Sequence, residues 1–567
     1  MDKRLSIALL LTAIIVAVTP ILFPTPRRAT SPTVSAPAQK TAPPVVESNQ
    51  PAAGQTTPSA AIPPAVIPPA VIPSADSVTA APPGTVPATT ASEITTVTTA
   101  TSTYQFTNVG AAPVSVSFRD YKSLTPGGGP VNLKAPGQPL LQYALVTNGT
   151  TIPLSSVPFQ LASSGNAAGD QVLTYRAAVS GVDVVISYDI VPGKYVVRIG
   201  GKVEGATGQT YLLVNLPSGL PATEADTLSD LRSLSYSFKP SNDHARGVPF
   251  EKLDPGERVL EAGPLTWAAV RNKYFVIGLI NPVGSTFKEM TLVGGPRTSK
   301  VATTASATLV KSIEDGKFAF DFYVGPQQST QLLALGRDFD HVNPYGWSFL
   351  QPVVNPIAAL CLKLLLWVHD TLKVSYGWVL IIFGVFIRIA LWPLNQSAMR
   401  SSLKMQEIQP RLAEVQKKYK DKPERQREEM MKVYKEAGAS PFTALSGCLP
   451  MLIPMPVLFA LFFVFQNTIE FRGVPFLWLT DISIKDPIYI LPVLMGLSMY
   501  LLSWIGLRNA PPNPQAKMMM YMFPVMMTFV LANMASGLNL YYTAQNIAAL
   551  PQQWLLARER LRARKAG

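Results

Sequence analysis

Hydrophobic residues are concentrated in the C-terminal third of the chain, where several apolar stretches approach 20 residues. Helices of that length match the roughly 30 Å hydrocarbon core of a lipid bilayer. The pattern therefore predicts five membrane-spanning helices, over residues 376–394, 441–466, 488–507, 518–533 and 537–556.

The N-terminal part of the chain shows two other patterns. Residues 1–23 begin with Lys3 and Arg4 and continue as "LSIALLLTAIIVAV" without a convincing small-residue cleavage site, so we expect a retained signal-anchor helix. Residues 24–103 are rich in Pro, Ala, Thr and Ser and include the repeat "IPPAVIPPAVIP". This composition cannot form a hydrophobic core and predicts a disordered linker.

Residues 104–340 alternate apolar and polar side chains over short runs, as in "QVLTYRAAVSGVDVVISYDIVPGKYVVRIGGKVEG". A period of two is typical of half-buried strands, and Pro192 to Lys194 separate two such runs as a hairpin turn would. The predicted fold of this region is a large antiparallel β-sandwich.

A connecting segment, residues 341–375, follows the predicted sandwich. Its sequence "NPIAALCLKLLLWVHDTLK" combines apolar residues with charged ones, which favours an amphipathic helix lying at the membrane interface. A short buried helix is the alternative. The five-span core then covers residues 376–556, and a basic tail covers 557–567.

The distribution of positive charge predicts the orientation in the membrane. The 567-residue chain has a net charge of +13, with eleven Lys or Arg in residues 395–440 and five in the tail "ARERLRARKAG", but only Arg472 and Lys485 in residues 467–487. Basic connections stay in the cytoplasm. Six crossings therefore place both termini in the cytoplasm and the predicted sandwich on the opposite side.

The basic connection has a pattern of its own, which predicts a helical hairpin over residues 396–438. Its apolar seam follows spacings of three and four: Met405, Ile408, Leu412, Val415 and Tyr419. Pro423 then interrupts the run. A solvated, salt-bridged pair of helices is the usual interpretation of such a pattern, and a docking arm for a ribosome or nascent chain is the functional one.

Catalytic or metal chemistry has little support in the sequence. The two cysteines, Cys361 and Cys448, lie in apolar surroundings, and His244, His341 and His369 are scattered along the chain. None of these residues has metal-ligand spacing or an evident nucleophile-and-base arrangement. We expect no cofactor, no metal and no enzymatic activity.

Arg388 stands inside the apolar run "FGVFIRIALWPL". If the helix extends to Leu394, the arginine lies six residues, or about 9 Å, from the inner end. An arginine at the centre of a spanning helix costs roughly 2.5 to 3.5 kcal/mol on insertion scales, so some feature must offset this cost. Snorkelling of the side chain toward the headgroups is one explanation. An acidic partner is improbable, because the other four spans contain no Asp or Glu at comparable depth.

A hydrated cavity is the third explanation. The last predicted span contains polar residues that are unsuited to lipid and could line one side of a wet groove: Thr543, Gln545, Asn546, Gln552 and Gln553. Hydrogen bonding between helices would explain these residues equally well.

Two neighbouring spans favour an adaptable, concave surface. "MMMYMFPVMMTFVLANM" contains seven methionines, whose flexible side chains can pack against different shapes, although methionine is also ordinary core filler. In "SPFTALSGCLPMLIPMPVLFALFFVFQ", four prolines weaken the helical hydrogen bonds and predict a bend.

Together these segments resemble the YidC-type membrane protein insertases, which are related to Oxa proteins. The resemblance covers nearly the whole chain and is most specific in "FIRIALWPL", "GCLPMLIPMPVLFALFF", "DPIYILPVLMG" and "SGLNLYYTAQN". It implies a periplasmic β-supersandwich followed by five helices in the bacterial inner membrane. It also implies a groove open to the cytoplasm, in which Arg388 and Tyr542 contact substrate.

The resemblance implies partners as well: nascent membrane proteins, the ribosome, the lipid bilayer and the Sec translocon, with no small-molecule substrate. Some relatives carry a hydroxyl residue one turn before the arginine, where this chain has Gly384, so that role does not transfer. The predicted groove residues are Arg388, Tyr542, Thr543, Gln545, Asn546, Met451, Met455 and Met526.

Two functions from other classes remain as alternatives. A solute transporter would also explain an intramembrane cation, but no internal repeat relates the spans. A carbohydrate-binding or enzymatic role for the sandwich has only His244 and His341 available and no recognisable acid-and-base pair.

Overall fold

The computed structural model describes residues 92–167, 170–297, 301–343, 351–393, 396, 408, 411–420, 422–436, 455–508 and 514–566. These residues form a β domain, which begins at Ile94, and a helical core that follows it. The predicted anchor, nearly all of the predicted linker, Cys448 and Met451 lie outside the described residues.

The β domain contains two antiparallel sheets. The smaller sheet has the order β1-β2-β3-β4, with β1 Ile94–Thr98, β2 Ser102–Thr107, β3 Ala112–Lys122 and β4 Pro130–Lys134. The larger sheet consists of β5 Gln142–Thr147, β6 Thr150–Pro153, β7 Gln160–Ala167, β8 Asp170–Val179, β9 Val182–Ile190, β10 Val196–Glu204, β11 Thr210–Leu216, β12 Ser235–Pro240, β13 Arg246–Pro249, β14 Arg258–Arg271, β15 Phe275–Ile280, β16 Phe287–Gly294, β17 Ala305–Ser312 and β18 Lys317–Pro326. Its main path is β6-β5-β11-β17-β16-β14-β15-β18-β10-β9-β8-β7, and β12 joins β14 to β13.

The sheets form because alternate residues are apolar, as in β9, where every second side chain is buried. Aromatic rings join the two layers: the Phe106 and Tyr188 centroids are 4.8 Å apart, and those of Phe118 and Phe275 are 5.5 Å apart. The predicted β-sandwich is confirmed. Its first strand begins at Ile94, within the stretch that we assigned to the linker, so the boundary at residue 104 was wrong.

A lysine is buried inside the β domain. Lys311, on β17, donates hydrogen bonds to Asn281 Oδ1 at 2.6 Å, to the Thr286 carbonyl at 3.3 Å and to Ser285 Oγ. Burial lowers the pKa of Lys311 from its usual 10.5 to about 8. Neutral oxygens therefore satisfy the ammonium group without neutralising it.

The main α-helices of the described residues are numbered α1 to α10; residues 392–393, 396 and 408 are also helical. In the β domain these are α1 Thr227–Arg232 and α2 Ser329–Leu335; the remainder are α3 Gln351–Leu372, α4 Tyr376–Ala390, α5 411–418, α6 Pro423–Glu436, α7 Met455–Asn467, α8 Ile490–Leu507, α9 Pro514–Leu531 and α10 Ser536–Ala566. Helix α10 packs against α4, α7 and α8, so it is central to the core. Helix α9 packs against α8, and α3 packs against α7.

The core helices differ in their capacity to cross a membrane. Among the described helices, Ile490–Leu507 is long and apolar enough by itself, while Val354–Leu372 and Tyr376–Ala390 qualify only as a pair bent by 120°. The apolar parts of α7 and α9, Val457–Asn467 and Met520–Leu531, are shorter. Each of the five predicted spans overlaps one helix, namely α4, α7, α8, α9 or α10. The basic tail is no separate segment, because α10 continues through it to Ala566.

The structure describes part of the predicted cytoplasmic hairpin, namely residues 396, 408, 411–420 and 422–436. Ile408 and Leu412 from the predicted seam pack against Tyr434, on α6, and the three side chains are buried together. Most charged residues of α6 are exposed. The apolar seam therefore holds two charged helices side by side, while Met405 lies outside the described residues.

The loop between α7 and α8 joins the helical core to the β domain. Arg472 Nε lies 2.8 and 2.9 Å from the two carboxylate oxygens of Glu224, and both side chains are almost fully buried, at 6% and 4% exposure. Arg472 also donates to the Lys122 and Thr223 carbonyls. Burial raises the pKa of Glu224 despite the neighbouring guanidinium. The contact thus depends on an ion pair excluded from water.

Candidate functional site

Arg388 lies in the last turn of α4, which ends at Ala390. The predicted continuous helix to Leu394 was therefore wrong, and the arginine lies closer to the helix end than the predicted six residues. The helix is interrupted at Leu391, whose backbone N–H donates to the Ile387 and Ile389 carbonyls, and Trp392 and Pro393 are again helical. In the last turn, the partial negative charge of the helix C-terminus stabilises the cation.

The guanidinium has a neutral partner. Arg388 Nη2 donates a 2.9 Å hydrogen bond to Gln552 Oε1 on α10. Arg388 Nε is buried and has no partner among the described residues, and the same holds for Gln552 Nε2. No carboxylate forms an ion pair with Arg388 within the described part of the chain. The side chain is thus held in place with its positive charge intact.

One face of α10 lies against α4 at this point. Gln545 precedes Gln552 by two helical turns and Tyr541 precedes Gln545 by one, so the three residues share a face. The Tyr541 ring centroid is 6.0 Å from that of Phe383, on α4. A Cβ atom at Gly384 would lie only 3.1 Å from the Tyr541 carbonyl. Glycine therefore favours the close approach of the two helices, because a side chain would crowd this carbonyl.

The other predicted polar residues lie on a different face of α10. Asn546 donates to Ser498 Oγ on α8 at 3.1 Å. Thr543 Oγ1 donates to the Asn539 carbonyl of its own helix at 2.8 Å. Tyr542, Thr543 and Asn546 are all buried. The polar residues of α10 thus do not line one common surface, and hydrogen bonding between helices, the alternative explanation, accounts for Asn546.

Of the three predicted methionines, only Met526 has a described side chain. Met526 is exposed on α9, on a face that also carries exposed Met518, Met522, Val525 and Phe529. Met455 is the first residue of α7, but its side chain, like the whole of Met451, lies outside the described part of the chain.

Tyr541 is a site residue that our predicted groove did not include, whereas Gln552 was among the polar residues of the last span that we expected could line it. Gln552 is fully buried and supplies the only hydrogen bond to Arg388 within the described residues. The signal for both was their helical spacing from Gln545, which places all three on one face. Without knowledge of which face meets α4, the sequence could not distinguish this set from Tyr542 and Asn546.

The histidine and acidic side chains of the described residues do not gather in larger groups. No group of three or more His, Cys, Asp or Glu side chains is placed to hold a metal ion in that part of the chain. His369 has a structural contact instead: its Nδ1 lies 2.7 Å from the Val374 carbonyl and its ring stacks on Tyr376 with centroids 4.1 Å apart.

Two known families match most of the chain. Residues 94–359 match the YidC periplasmic domain, and residues 367–564 match the 60Kd inner membrane protein family. The boundary between the two matches falls within α3.

Individual relatives agree with the family matches. A membrane protein insertase YidC from Chlorobium luteolum is 32% identical over 405 residues, which cover 68% of each chain. A membrane protein insertase YidC from Chlorobaculum tepidum is 33% identical over 65% of each chain. A crystal structure of an active YidC insertase aligns at 17% identity and a TM-score of 0.33, over 81% of this chain and 92% of that one. This chain therefore belongs to the YidC family of membrane protein insertases.

Proposed function

We propose that this protein inserts membrane proteins by binding a short apolar segment of a client and moving its small polar flank partway across the bilayer. The observation that carries the proposal is the environment of Arg388. This half-buried cation has a neutral hydrogen-bond partner, Gln552. A permanent charge with no neutralising partner among the described residues is available to attract polar or acidic groups of a client. The process requires no ATP, covalent intermediate or cofactor, and the protein is not an enzyme.

The contacts that offset the cost of placing Arg388 in the membrane support this role. The hydrogen bond to Gln552 and the C-terminal end of α4 both stabilise the guanidinium. Neither contact removes its charge. In our proposal, water entering a groove open to the cytoplasm supplies the remaining stabilisation and shortens the hydrocarbon path for the client flank. Tyr541 and Gln545 extend the polar face of that groove, since they share with Gln552 the face of α10 that lies against α4.

Exposed apolar faces of the core would receive the client's hydrophobic segment. Helix α4 exposes Trp378, Phe386 and Ile389, and α9 exposes Met526 and Phe529. Moving the segment from water by way of such a surface into lipid is favourable overall, because removing apolar area from water contributes roughly 25 cal/mol per Å². The protein thus lowers a barrier, and the client's own hydrophobicity drives insertion.

The placement of aromatic residues supports a membrane orientation for the core. Helix α8 is 18 residues, about 27 Å, long. Exposed Trp478 and Tyr489 precede this helix, and exposed Trp504 lies near its other end. The Arg508 guanidinium is 5.4 Å from the Trp504 ring centroid. Tryptophan and tyrosine favour both interfaces, and arginine favours the cytoplasmic one. We infer a bacterial inner-membrane protein with cytoplasmic termini and a periplasmic β domain.

The helical hairpin and the basic end of α10 are proposed to receive clients. Both carry exposed positive charge, and the hairpin is held together by Ile408, Leu412 and Tyr434. Such surfaces suit a ribosome and its nascent chain, since positive side chains bind the phosphates of RNA. Longer clients would reach this protein through the Sec translocon, and short ones would use it alone.

Reconstitution tests the central claim. Purified wild-type protein in liposomes is compared with Arg388→Ala, Arg388→Lys and Arg388→Gln, using matched clients whose short translocated flank is acidic or neutral. We expect Arg388→Ala and Arg388→Gln to slow the acidic client more than the neutral one. Arg388→Lys should largely retain activity, because charge matters more here than guanidinium geometry.

A matched control and two outcomes make this test decisive. Arg508→Gln removes a cation that contacts an exposed tryptophan near the end of α8, so it should affect both clients equally. If no client inserts faster with protein than in lipid alone, autonomous insertion is excluded. If Arg388→Ala slows both clients equally, direct attraction is excluded and Arg388 is only an anchor.

A further inference from the structure

A small polar cavity of about 30 Å³ lies where the end of the β domain meets the helical core. Oxygen-bearing side chains from both parts line it: Gln327, Asp340, Asn343, Thr468 and Glu470. The first three follow β18 along the chain, and the last two follow α7. The cavity has room for a single water-sized guest or an ion.

Several polar atoms around this cavity are buried without a partner in the described structure. Gln327 is 5% exposed, and its Nε2 donates to the Asn272 and Phe275 carbonyls, which leaves Oε1 unpaired. Thr468 is 3% exposed, and its Oγ1 is likewise unpaired. Such atoms are rare in folded proteins, and each indicates a missing partner such as an ion or water.

Only one of the two carboxylate oxygens of Glu470 has a hydrogen-bond partner among the described residues. Its Oε1 accepts a hydrogen bond from the Ser329 backbone N–H at 3.3 Å, whereas Oε2 is buried without a partner among the described residues. Asp340 supplies a second carboxylate, whose Oδ2 lies 3.4 Å from His341 Nδ1. No Lys or Arg lines the cavity. Its charge therefore favours a cation over an anion or a neutral apolar guest.

Asn343 completes the set. Its Nδ2 has no partner among the described residues, and rotating the amide by half a turn would point its oxygen inward instead. With that rotation, these five side chains present two carboxylates, two amide oxygens and one hydroxyl, and Ser329 and Asn467 also line the cavity. Ca²⁺ accepts six to eight oxygen ligands of these mixed types in flexible geometry, with water completing the shell, whereas Mg²⁺ requires stricter geometry.

We propose that this cavity is a Ca²⁺ site that ties the end of the β domain to the loop following α7. Asp340 is 27% exposed, so the cavity opens to solvent beside it and an ion has access. Gln327, Asn343 and Thr468 are the buried ligands, Glu470 is a half-buried one, and Asp340 is the ligand at the opening. With only two carboxylates, the site belongs to the weak class of extracellular calcium modules, with Kd of about 10⁻⁴ to 10⁻³ M.

Direct binding tests the proposal. Full-length protein in detergent is freed of metal with EGTA and titrated with CaCl₂ by calorimetry, with MgCl₂ as the comparison. We expect one Ca²⁺ per chain, weaker Mg²⁺ binding, and at least a tenfold loss of Ca²⁺ affinity in Glu470→Gln. That substitution keeps an oxygen for the Ser329 N–H, so α2 retains its contact. Glu204→Gln removes an exposed carboxylate at the end of β10 and should leave affinity unchanged.

Hydrogen exchange provides a second measurement, which does not rely on the heat of binding detected by calorimetry. Ca²⁺ should slow amide exchange in residues 327–343 and 468–471 of the wild type, and should not do so in Glu470→Gln. Absence of saturable Ca²⁺ binding in the wild type, or equal affinity in wild type and Glu470→Gln, would overturn the proposal and leave water as the guest. Both measurements are independent of insertion activity, so they stand or fall separately from the proposed function.

Discussion

The ion pair between Arg472 and Glu224 allows a quantitative prediction about how the β domain is held. Glu224→Gln removes the negative charge but preserves the shape of the side chain, so Arg472 stays buried and loses its counter-ion. Breaking a buried pair in this way costs about 3 to 5 kcal/mol. Arg472 keeps its hydrogen bonds to the Lys122 and Thr223 carbonyls, at 2.8 and 3.3 Å, which favours the lower part of that range.

Hydrogen exchange of the full-length protein measures this cost locally. In the wild type, the amide of Val474 donates to Phe471 and that of Ile482 donates to Val474, so both report on the loop that carries Arg472. A loss of about 3 to 4 kcal/mol corresponds to faster exchange by roughly two to three orders of magnitude, because each 1.4 kcal/mol is a factor of ten. Glu224→Gln should show that increase at both amides.

A surface pair in the same domain supplies the control. Arg232 and Glu251 are 4.0 Å apart and 58% and 49% exposed, so Glu251→Gln should change stability by less than about 0.5 kcal/mol. Adding Arg472→Gln to Glu224→Gln removes the stranded charge and should restore most of the protection. An increase of less than tenfold in Glu224→Gln, or no recovery in the double variant, would show that the pair does not fix the domain contact.

Three further changes have predictable effects. Gly384→Val should destabilise the protein by about 1 to 3 kcal/mol, because the larger side chain is overpacked against the Tyr541 carbonyl, and should thus lower the unfolding temperature in detergent. Ala390→Val, at an exposed position, should leave the unfolding temperature unchanged. Asn546→Leu should destabilise the core by only about 0.6 kcal/mol in denaturant titrations, the average value of a hydrogen bond between membrane helices, and a loss above about 2 kcal/mol would indicate a larger role. Burial lowers the pKa of Lys311 to about 8, so the unfolded state binds the proton more tightly than the folded state does. Wild-type stability should therefore rise with pH between about 8 and 10.5. Hydrogen exchange of the β17 amides should show this rise, and Lys311→Met should lack it.

Alternation of apolar and polar residues was sufficient to predict the β domain, because a strand with one buried face must repeat with a period of two. The position of its first strand was not predictable in the same way. The segment "ITTVT" of β1 is rich in threonine and follows a long stretch rich in Pro, Ala and Thr, so composition assigned it to the linker. Its pairing with β2, a tertiary feature, makes it a strand.

The helical core shows a similar division between local and distant information. Hydropathy located α4, but the interruption of the helix at Leu391 was not evident from the sequence, so Arg388 was placed too far from the helix end. Arg472 and Glu224 are separated by 248 residues, and no local pattern relates them. In the sequence, Arg472 was visible only as one of two positive charges in a short loop. Contacts between domains depend on the folded arrangement and are therefore the least predictable part.

The neutral partner of Arg388 sets an upper limit on how strongly the site can select clients. A carboxylate that displaces Gln552 replaces a neutral acceptor by a charged one, and hydrogen bonds to charged groups contribute about 1.5 to 3 kcal/mol compared with about 0.5 to 1.5 for neutral ones. The difference of about 1 to 2 kcal/mol corresponds to a five- to thirtyfold preference for acidic flanks. Gln552→Leu removes the competing acceptor from the unoccupied site and should increase that preference in reconstituted liposomes without abolishing insertion. A preference above a thousandfold in the wild type would exceed what exchange of this one hydrogen bond provides, and a second cationic group would then have to contact the client.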